Sequence, residues 1–538
     1  MGVGALILLG LLAFVLWCGI QCIRQIGTPG FKTWPLIGVT LEVAANYHRL
    51  YDWLSWNFQV KETMTMSATM PGRSFLFTVD PANVEHILKT NFANYPKGED
   101  FQEIFQPLLG NGIFNSNGEA WRFQRKTASF EFASRVLRDV SCRVFKDHAL
   151  KLARIVHGSQ ESEGSLEMQA RIKSSSFLLR SSRKFIQDLF MRMTLDTICY
   201  LGFGLHLGVL APNLPRNDFA TAFDACNAII SYRCADPFWK LKRFLRIGLE
   251  RNLRRHLQVV DDFTHSIIQQ RRLQLQDHHA RIFIRFLRLS LQSKQDLLSR
   301  FMLLDESFSD DHLRDVILNF VIAGRDTTAS TLSYFTYMIA SHPDCATKIY
   351  QELHEFEEFQ LSDNSHRPSS FEDKIHGFTQ LLTYESLAKL VYLHAALMET
   401  LRLFPAVPLN FKLAVTDDVL PSGAVVKRGS TVSYVPYCMA RVESIWGSDA
   451  SQFRPERWRR DGAWDFSVSP FKFTAFQAGP RICLGKDSAF LQMKITAALL
   501  CRFFEFQLVP GQILTYRVMA TISLVNGVKV TTSNCTSE

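Results

Sequence analysis

With 538 residues, 47% of them hydrophobic and 43 of them Phe, the chain can bury a large apolar interior, and a charged fraction of 21% excludes a globally disordered polypeptide. Eleven cysteines at irregular intervals, with no CxxC pair, exclude a secreted disulfide framework and read as reduced thiols facing the cytosol. The net charge of +9 does not mark a nucleic-acid binder, because two short acid-free segments, 170–187 and 278–294, together carry the whole excess.

In chain order, Val3 to Ile23 is almost wholly apolar and just long enough to cross a hydrocarbon layer as a helix. No charged side chain precedes it, whereas Arg24 and Lys32 follow, which predicts a retained anchor over residues 1–24 with the remainder in the cytosol. A cleaved signal peptide is the alternative, but no small-residue cleavage site follows. Pro29, Gly30, Pro35 and Gly38 then make a stiff, non-helical spacer over 25–40. No second linker and no internal repeat divides the rest, so 41–538 is expected to be one catalytic body.

Residues 62–79 alternate around Pro71-Gly72 and predict a hairpin, with a helix after Asp80-Pro81. Helical patterns follow over 118–155, 188–204, 215–234, 248–276, 311–341, 345–360 and 385–403. Strand-like runs lie near 409–416, 423–433 and 505–530. The strands do not alternate with helices as βαβ units, which predicts a mainly α body with small β-sheets.

Chemistry concentrates in Phe476-Gln477-Ala478-Gly479-Pro480-Arg481-Ile482-Cys483-Leu484-Gly485, which runs into a helical pattern from Lys486. Gly479 and Gly485 would permit a tight wrap that aims N–H groups at the sulfur, and the helix amino terminus would favour its anion. A buried cysteine in a glycine-containing loop is the plain alternative. The five fixed positions F-x-x-G-x-R-x-C-x-G arise by chance only on the order of once in ten thousand chains of this length.

This segment resembles the haem-binding signature of the cytochrome P450 family. The resemblance implies the P450 fold, a haem b whose iron is bound by the Cys483 thiolate, and cofactor contacts from Phe476, Gly479, Arg481 and Gly485. Further motifs follow the family order. Trp121 and Arg125 match its W-x-x-x-R helix and would hold a propionate. Ala323-Gly324-Arg325-Asp326-Thr327-Thr328 matches its oxygen-activation motif. Ala323 and Gly324 would approach the flat cofactor, and Asp326 and Thr327 would deliver protons; the alternative is a kinked core helix with Thr bonding its own backbone. Asp310 or Asp311 is expected to cap that helix, and His342-Pro343 to stop it. Glu399 and Arg402 match E-x-x-R and, with Arg457, would lock the cysteine loop through a buried charge network.

The implied reaction inserts one atom of molecular oxygen into a C–H bond with electrons from NADPH–cytochrome P450 reductase. Residues 114–126, 129–132, 236–245 and 471–480 are similar to the plant branch that includes fatty-acid omega-hydroxylases. That likeness implies a lipophilic substrate, a long-chain fatty acid, hydroxylated at its terminus at the endoplasmic reticulum membrane. Phe105, Leu108, Phe320, Val407 and Leu409 are candidate substrate contacts. Against this pattern, Ala170–Gln187 is inserted and reads as translated non-coding sequence, while His278–Lys294 is either that or a basic amphipathic surface helix. The alternatives are a P450 acting on another lipophilic substrate, a haem-thiolate isomerase or dehydratase, and an inactive haem protein.

Overall fold

The computed structural model describes residues 31–133, 135–166, 186–276, 296–305, 307–361 and 370–535, with isolated positions 13, 16 and 20. Apart from those isolated positions, the apolar Val3–Ile23 segment lies outside the described residues, as do 170–185 and 278–294. Among the described residues no helix is long and apolar enough to cross a membrane. Ile186 and Gln187, assigned from sequence to the first interruption, instead open a helix. Ile186 is buried, and Gln187 Nε2 donates to Ser523 Oγ at 2.8 Å.

The principal helices are α1 (Glu99–Leu109), α2 (Gly118–Ala133), α3 (Arg135–Leu166), α4 (Ile186–Phe203), α5 (Asp218–Tyr232), α6 (Trp239–Leu245) and α7 (Gly248–Gln276). They continue with α8, built from Asp310–Val321, a π-helical turn Ile322–Asp326 and Thr327–Ser341, then α9 (Val391–Leu403) and α10 (Lys486–Phe503). The expected mainly helical body is present. Two patterns read as single helices are broken. Residues 118–155 divide between α2 and α3, and 385–403 divide into a one-turn helix Tyr384–Leu387 and α9. Helix α1 escapes the periodic reading because Pro107 stands inside it, where proline ordinarily ends a helix.

The expected hairpin is β1 (Thr65–Met70) against β2 (Arg73–Thr78), closed at Pro71-Gly72 with Gly72 at φ +69°. It joins β3 (Asn410–Leu413) and β4 (Thr431–Tyr434) in a four-stranded sheet of order β1-β2-β4-β3. β2 and β4 run parallel, pairing Phe75 with Thr431 and Thr78 with Tyr434. The run expected over 505–530 separates into four short strands in two antiparallel pairs.

Helix α8 is the axis of the molecule. Its amino-terminal cap is Ser309, whose hydroxyl accepts from the His312 N–H, rather than Asp310 or Asp311, which occupy the first turn. His342 ends it as expected. Val316 to Ile322 belong to one apolar core with residues of α1, α4, α5 and α7, whereas Ala329 to Ile339 belong to a second with residues of α3, α9 and α10. The π turn lies where the two cores meet.

Candidate active site

Backbone hydrogen bonds shape the cysteine loop. The Cys483 N–H donates to Phe476 O at 2.8 Å and the Ile482 N–H to Gly479 O at 3.0 Å. Gly479 sits at φ +64°, and a Cβ there would stand 2.0 Å from the Leu88 carbonyl oxygen, so glycine is required on two counts. Gly485, at φ −89°, is different: its backbone suits any residue, and a Cβ would make ordinary contacts with Phe132 and the Cys483 sulfur. The Tyr434 hydroxyl at the end of β4 donates to Gln477 Oε1, tying the loop to the sheet.

Among the described cysteines Cys483 alone is exposed, and its surface opens into an internal cavity of about 650 Å³. The Gly485 N–H and the charge of Arg125 draw the thiol pKa down as expected, but burial outweighs both and leaves it above its ordinary value. The loop alone therefore does not fix a thiolate; a coordinated metal ion would supply the missing positive charge.

Trp121, Arg125, Ala323, Gly324, Thr327, Phe476, Arg481, Cys483 and Gly485 all line this cavity, as do Phe105, Phe320, Val407 and Leu409. Leu108 does not; it is buried in the core, and Leu109 takes the wall position. Gly324 owes its missing side chain to α4, since a Cβ would stand 2.7 Å from Ile198 Cδ1. Gly324 thus lines the cavity and also permits close packing against α4.

Thr327 Oγ1 donates to the Ala323 carbonyl at 2.6 Å, within the π turn. Asp326 faces away from the cavity and is buried. One carboxylate oxygen accepts from Arg325 Nη1 at 3.1 Å; the other accepts from Asn227 Nδ2 at 3.3 Å and Thr521 Oγ1 at 3.4 Å. Burial pushes this carboxyl from 3.8 up to about 6, against the pull of Arg325. Arg325 in turn holds the partly exposed Asp224 on α5 by bonds of 2.6 and 3.1 Å. Arg325, unassigned in the sequence reading, thus links a surface carboxylate to the buried one, while Thr521 brings the network to the cavity wall.

The cavity wall carries positive charge without matching acid. Lys97, Arg125, Arg138, Lys412 and Arg481 line it, against Asp487 as the one carboxylate among the described lining residues. Arg481 Nη2 donates to Ser116 O at 2.8 Å and Asn117 Oδ1 at 3.0 Å, but its buried Nε has no partner. Burial and Arg125 lower its pKa to about 10. Burial and Arg481 lower Lys97 to about 7, and burial with Lys97 and Arg481 drives Lys412 well below the usual lysine range. Desolvated cations crowded on one cavity wall fit a flat group bearing two carboxylates, as the haem propionates would be. Sequence reasoning found Arg125 and Arg481 but missed Lys97 and Lys412; the available signal was an inward-facing lysine at the one fully buried position of β3.

Behind the loop, Glu399 is completely buried and bidentate to Arg402 at 2.8 and 2.9 Å. Arg457 Nε donates to it at 3.1 Å, as do the Arg454 N–H at 3.1 Å and Trp458 Nε1 at 3.2 Å. Arg402 spends its remaining donors on the carbonyls of Ala440, Ala450 and Gln452. The expected three-residue network exists, and Trp458, packed edge-on against Phe473 at 5.5 Å, passes its rigidity toward the cysteine loop.

A cysteine-floored, cation-rimmed cavity beside a π-bulged central helix defines a haem-thiolate protein. The cytochrome P450 family model matches residues 28–517. Cytochrome P450 704B1 of Arabidopsis thaliana is 47% identical over 529 residues, covering 96% of this chain and 97% of that relative. Cytochrome P450 704C1 of Pinus taeda is 43% identical, covering 91% and 90%, and cytochrome P450 86B1 of Arabidopsis thaliana is 36% identical, covering 97% and 89%. The chain belongs to the cytochrome P450 family. It is a monooxygenase that uses haem with a cysteine thiolate on the iron.

Glu399→Ala would strand Arg402 in the core. It should cost about 3–5 kcal/mol, seen as a lowered Tm, far more than substitution of an exposed ion pair such as Arg122–Glu119. Asp326 should give a pH signature. Its folded pKa of about 6 exceeds its ordinary 3.8, so between those values the native state binds more protons than the unfolded chain. Stability of the wild type relative to Asp326→Asn should therefore fall as pH rises through that window and level off above it, as measured by Tm differences.

Proposed function

We propose that this P450 is a membrane-anchored hydroxylase of long-chain fatty acids, attacking the terminal carbon. NADPH–cytochrome P450 reductase would supply electrons, and the body would face the cytosol from the endoplasmic reticulum membrane. The observation that carries the reading is the cavity, whose wall is mostly apolar from Cys483 to Tyr47 and Leu50. The likeness of residues 114–126, 129–132, 236–245 and 471–480 to the plant omega-hydroxylase branch supports the same substrate class. Val3–Ile23 is the proposed anchor. Around α6, Phe238, Leu241, Phe244 and Ile247 are all exposed among Lys240, Lys242, Arg243 and Arg246, a composition suited to a lipid surface.

Haem, when bound, supplies the activation of dioxygen and the oxidation of the substrate C–H bond. In this reading Cys483 holds its iron, and Arg125, Arg481, Lys97 and Lys412 neutralise its propionates. Ala323 and Thr327 present the α8 backbone and a hydroxyl at the oxygen side. Asp224 takes protons from solvent, Arg325 orients the carboxylates, and Asp326 holds a proton beside Thr521 at the cavity wall. Apolar side chains exclude other water from the site.

Membranes carrying the protein, supplied with reductase, NADPH and saturated acids from C12 to C18, should yield terminal alcohols identified by mass spectrometry. Products hydroxylated only within the chain, or no lipid turnover, would sink the terminal-hydroxylase reading. Lys412→Met should raise the Tm of the apoprotein by removing a buried amine whose charge burial disfavours, yet lower the haem-to-protein ratio after dialysis. A variant that keeps wild-type haem content would remove Lys412 from the propionate set.

A further inference from the structure

Asn117 stands where helix α2 begins, and its carbonyl accepts from the Trp121 N–H at 3.3 Å. Asparagine is a favoured residue at that place because its side chain can accept from an N–H of the first turn. The side-chain bonds here run elsewhere. Oδ1 accepts from the Lys97 N–H at 3.0 Å and from Arg481 Nη2 at 3.0 Å, and Nδ2 donates to the Lys97 carbonyl at 2.7 Å. The amide thus pairs with Lys97 as a neighbouring peptide would, through one donor and one acceptor, while its oxygen also holds a guanidinium. Aspartate has the same reach but lacks the donor.

Segments far apart in sequence meet at this amide. The Pro96 carbonyl accepts from the Leu413 N–H at 3.0 Å, which sets Lys97 beside β3, the strand that carries Lys412. Arg481 comes from the cysteine loop, and its guanidinium lies over the Trp121 ring at 4.5 Å, with that of Arg125 over the same ring at 5.9 Å. Asn117 Oδ1 and the Ser116 carbonyl grip Arg481 by Nη2 alone. Its buried Nε has no protein partner, and the side chain lines the cavity. A buried N–H of this kind suits an acceptor brought by a bound anion.

Lys97 and Arg481 carry like charge and repel, so unrestrained they would turn away from each other. Fastening the backbone of one and the guanidinium of the other to a single amide keeps them convergent. A bound carboxylate then loses less free energy to ordering its partners.

Resting on the assignment of Lys97 and Arg481 to the haem propionates, we propose that Asn117 is the positioning residue of that set. Its amide couples the Lys97 segment to the cysteine loop at the start of the helix that bears Trp121 and Arg125, so the cations meet both carboxylates in one fixed arrangement.

The test is the rate at which full-length holoenzyme in phospholipid nanodiscs loses haem to excess apomyoglobin, read from the absorption spectrum. Asn117→Ala should speed the loss about tenfold. Asn117→Ser, which keeps a hydroxyl acceptor, should fall between that variant and the wild type, and it takes the place of the alanine variant if that chain does not fold. Asn117→Asp separates positioning from capping. A cap or a packing role is served by aspartate, whereas a carboxylate against Arg481 competes with the propionate, so this variant should lose haem at least as fast as Asn117→Ala. An Asn117→Asp protein that keeps haem as the wild type does overturns the proposal. Arg481→Gln should also speed the loss about tenfold, and the double variant Asn117→Ala/Arg481→Gln should stay within about threefold of it, since one residue acts through the other. Effects that multiply to about a hundredfold overturn the Asn117 assignment alone. Haem loss unchanged by Arg481→Gln overturns the propionate assignment and the proposal with it.

Discussion

A carboxylate with no access to water, Glu399, is the constraint around which the iron-binding half of the molecule is organised. An ion so placed is tolerable only if every lone pair is used, and here two arginines, a backbone amide and an indole N–H use them. The arginines then collect carbonyls from Ala440, Trp446, Asp449, Ala450 and Gln452, fixing an irregular stretch that no helix or sheet ladder would hold. Trp458 carries that order to Phe473, three residues before the cysteine loop begins. The loop's own backbone hydrogen bonds set its turns, and this buried charge fixes the scaffold behind it.

The cavity presents the opposite electrostatic situation. Its wall gathers cations whose desolvation is not offset by neighbouring acids: Arg125 lowers Arg481, Arg481 lowers Lys97, and both Lys97 and Arg481 lower Lys412. A protein retains such a cluster when an anion is part of its working form. On the far side of α8, Asp326 is pressed upward in pKa by the same low-polarity surroundings, but there a single arginine partly offsets the cost. One environment is poised for anionic carboxylates and the other for a carboxyl near its titration point.

What could be read from sequence was what physics writes locally. The cysteine loop, the W-x-x-x-R turn, the E-x-x-R pair and the Ala323–Thr328 motif are short patterns with fixed spacing, and the structure gathers the first, second and fourth around one cavity while placing the third behind the loop. The hairpin at Pro71-Gly72 and the cap at Asp80 were legible for the same reason. Lys97 and Lys412 were not, because each is a lone lysine whose meaning comes from partners hundreds of residues away. Asn227 and Thr521, which complete the Asp326 environment, are likewise unmarked along the chain. Helix α1 was hidden by Pro107, and the second demand on Gly324 was invisible because it comes from Ile198, a side chain of another helix. Gly485 misled for a related reason: a glycine beside a key cysteine need not be there for its backbone freedom.

One helix, α8, is a member of both apolar cores. Any small displacement of one core against the other must pass through it, and its hydrogen-bond ladder is already interrupted in the five residues from Ile322 to Asp326. Regular helix on either side resists bending more strongly, so the irregular turn is where the rod yields. That turn coincides with the Ala323 carbonyl and the Thr327 hydroxyl, both at the wall of the cavity into which the sulfur opens.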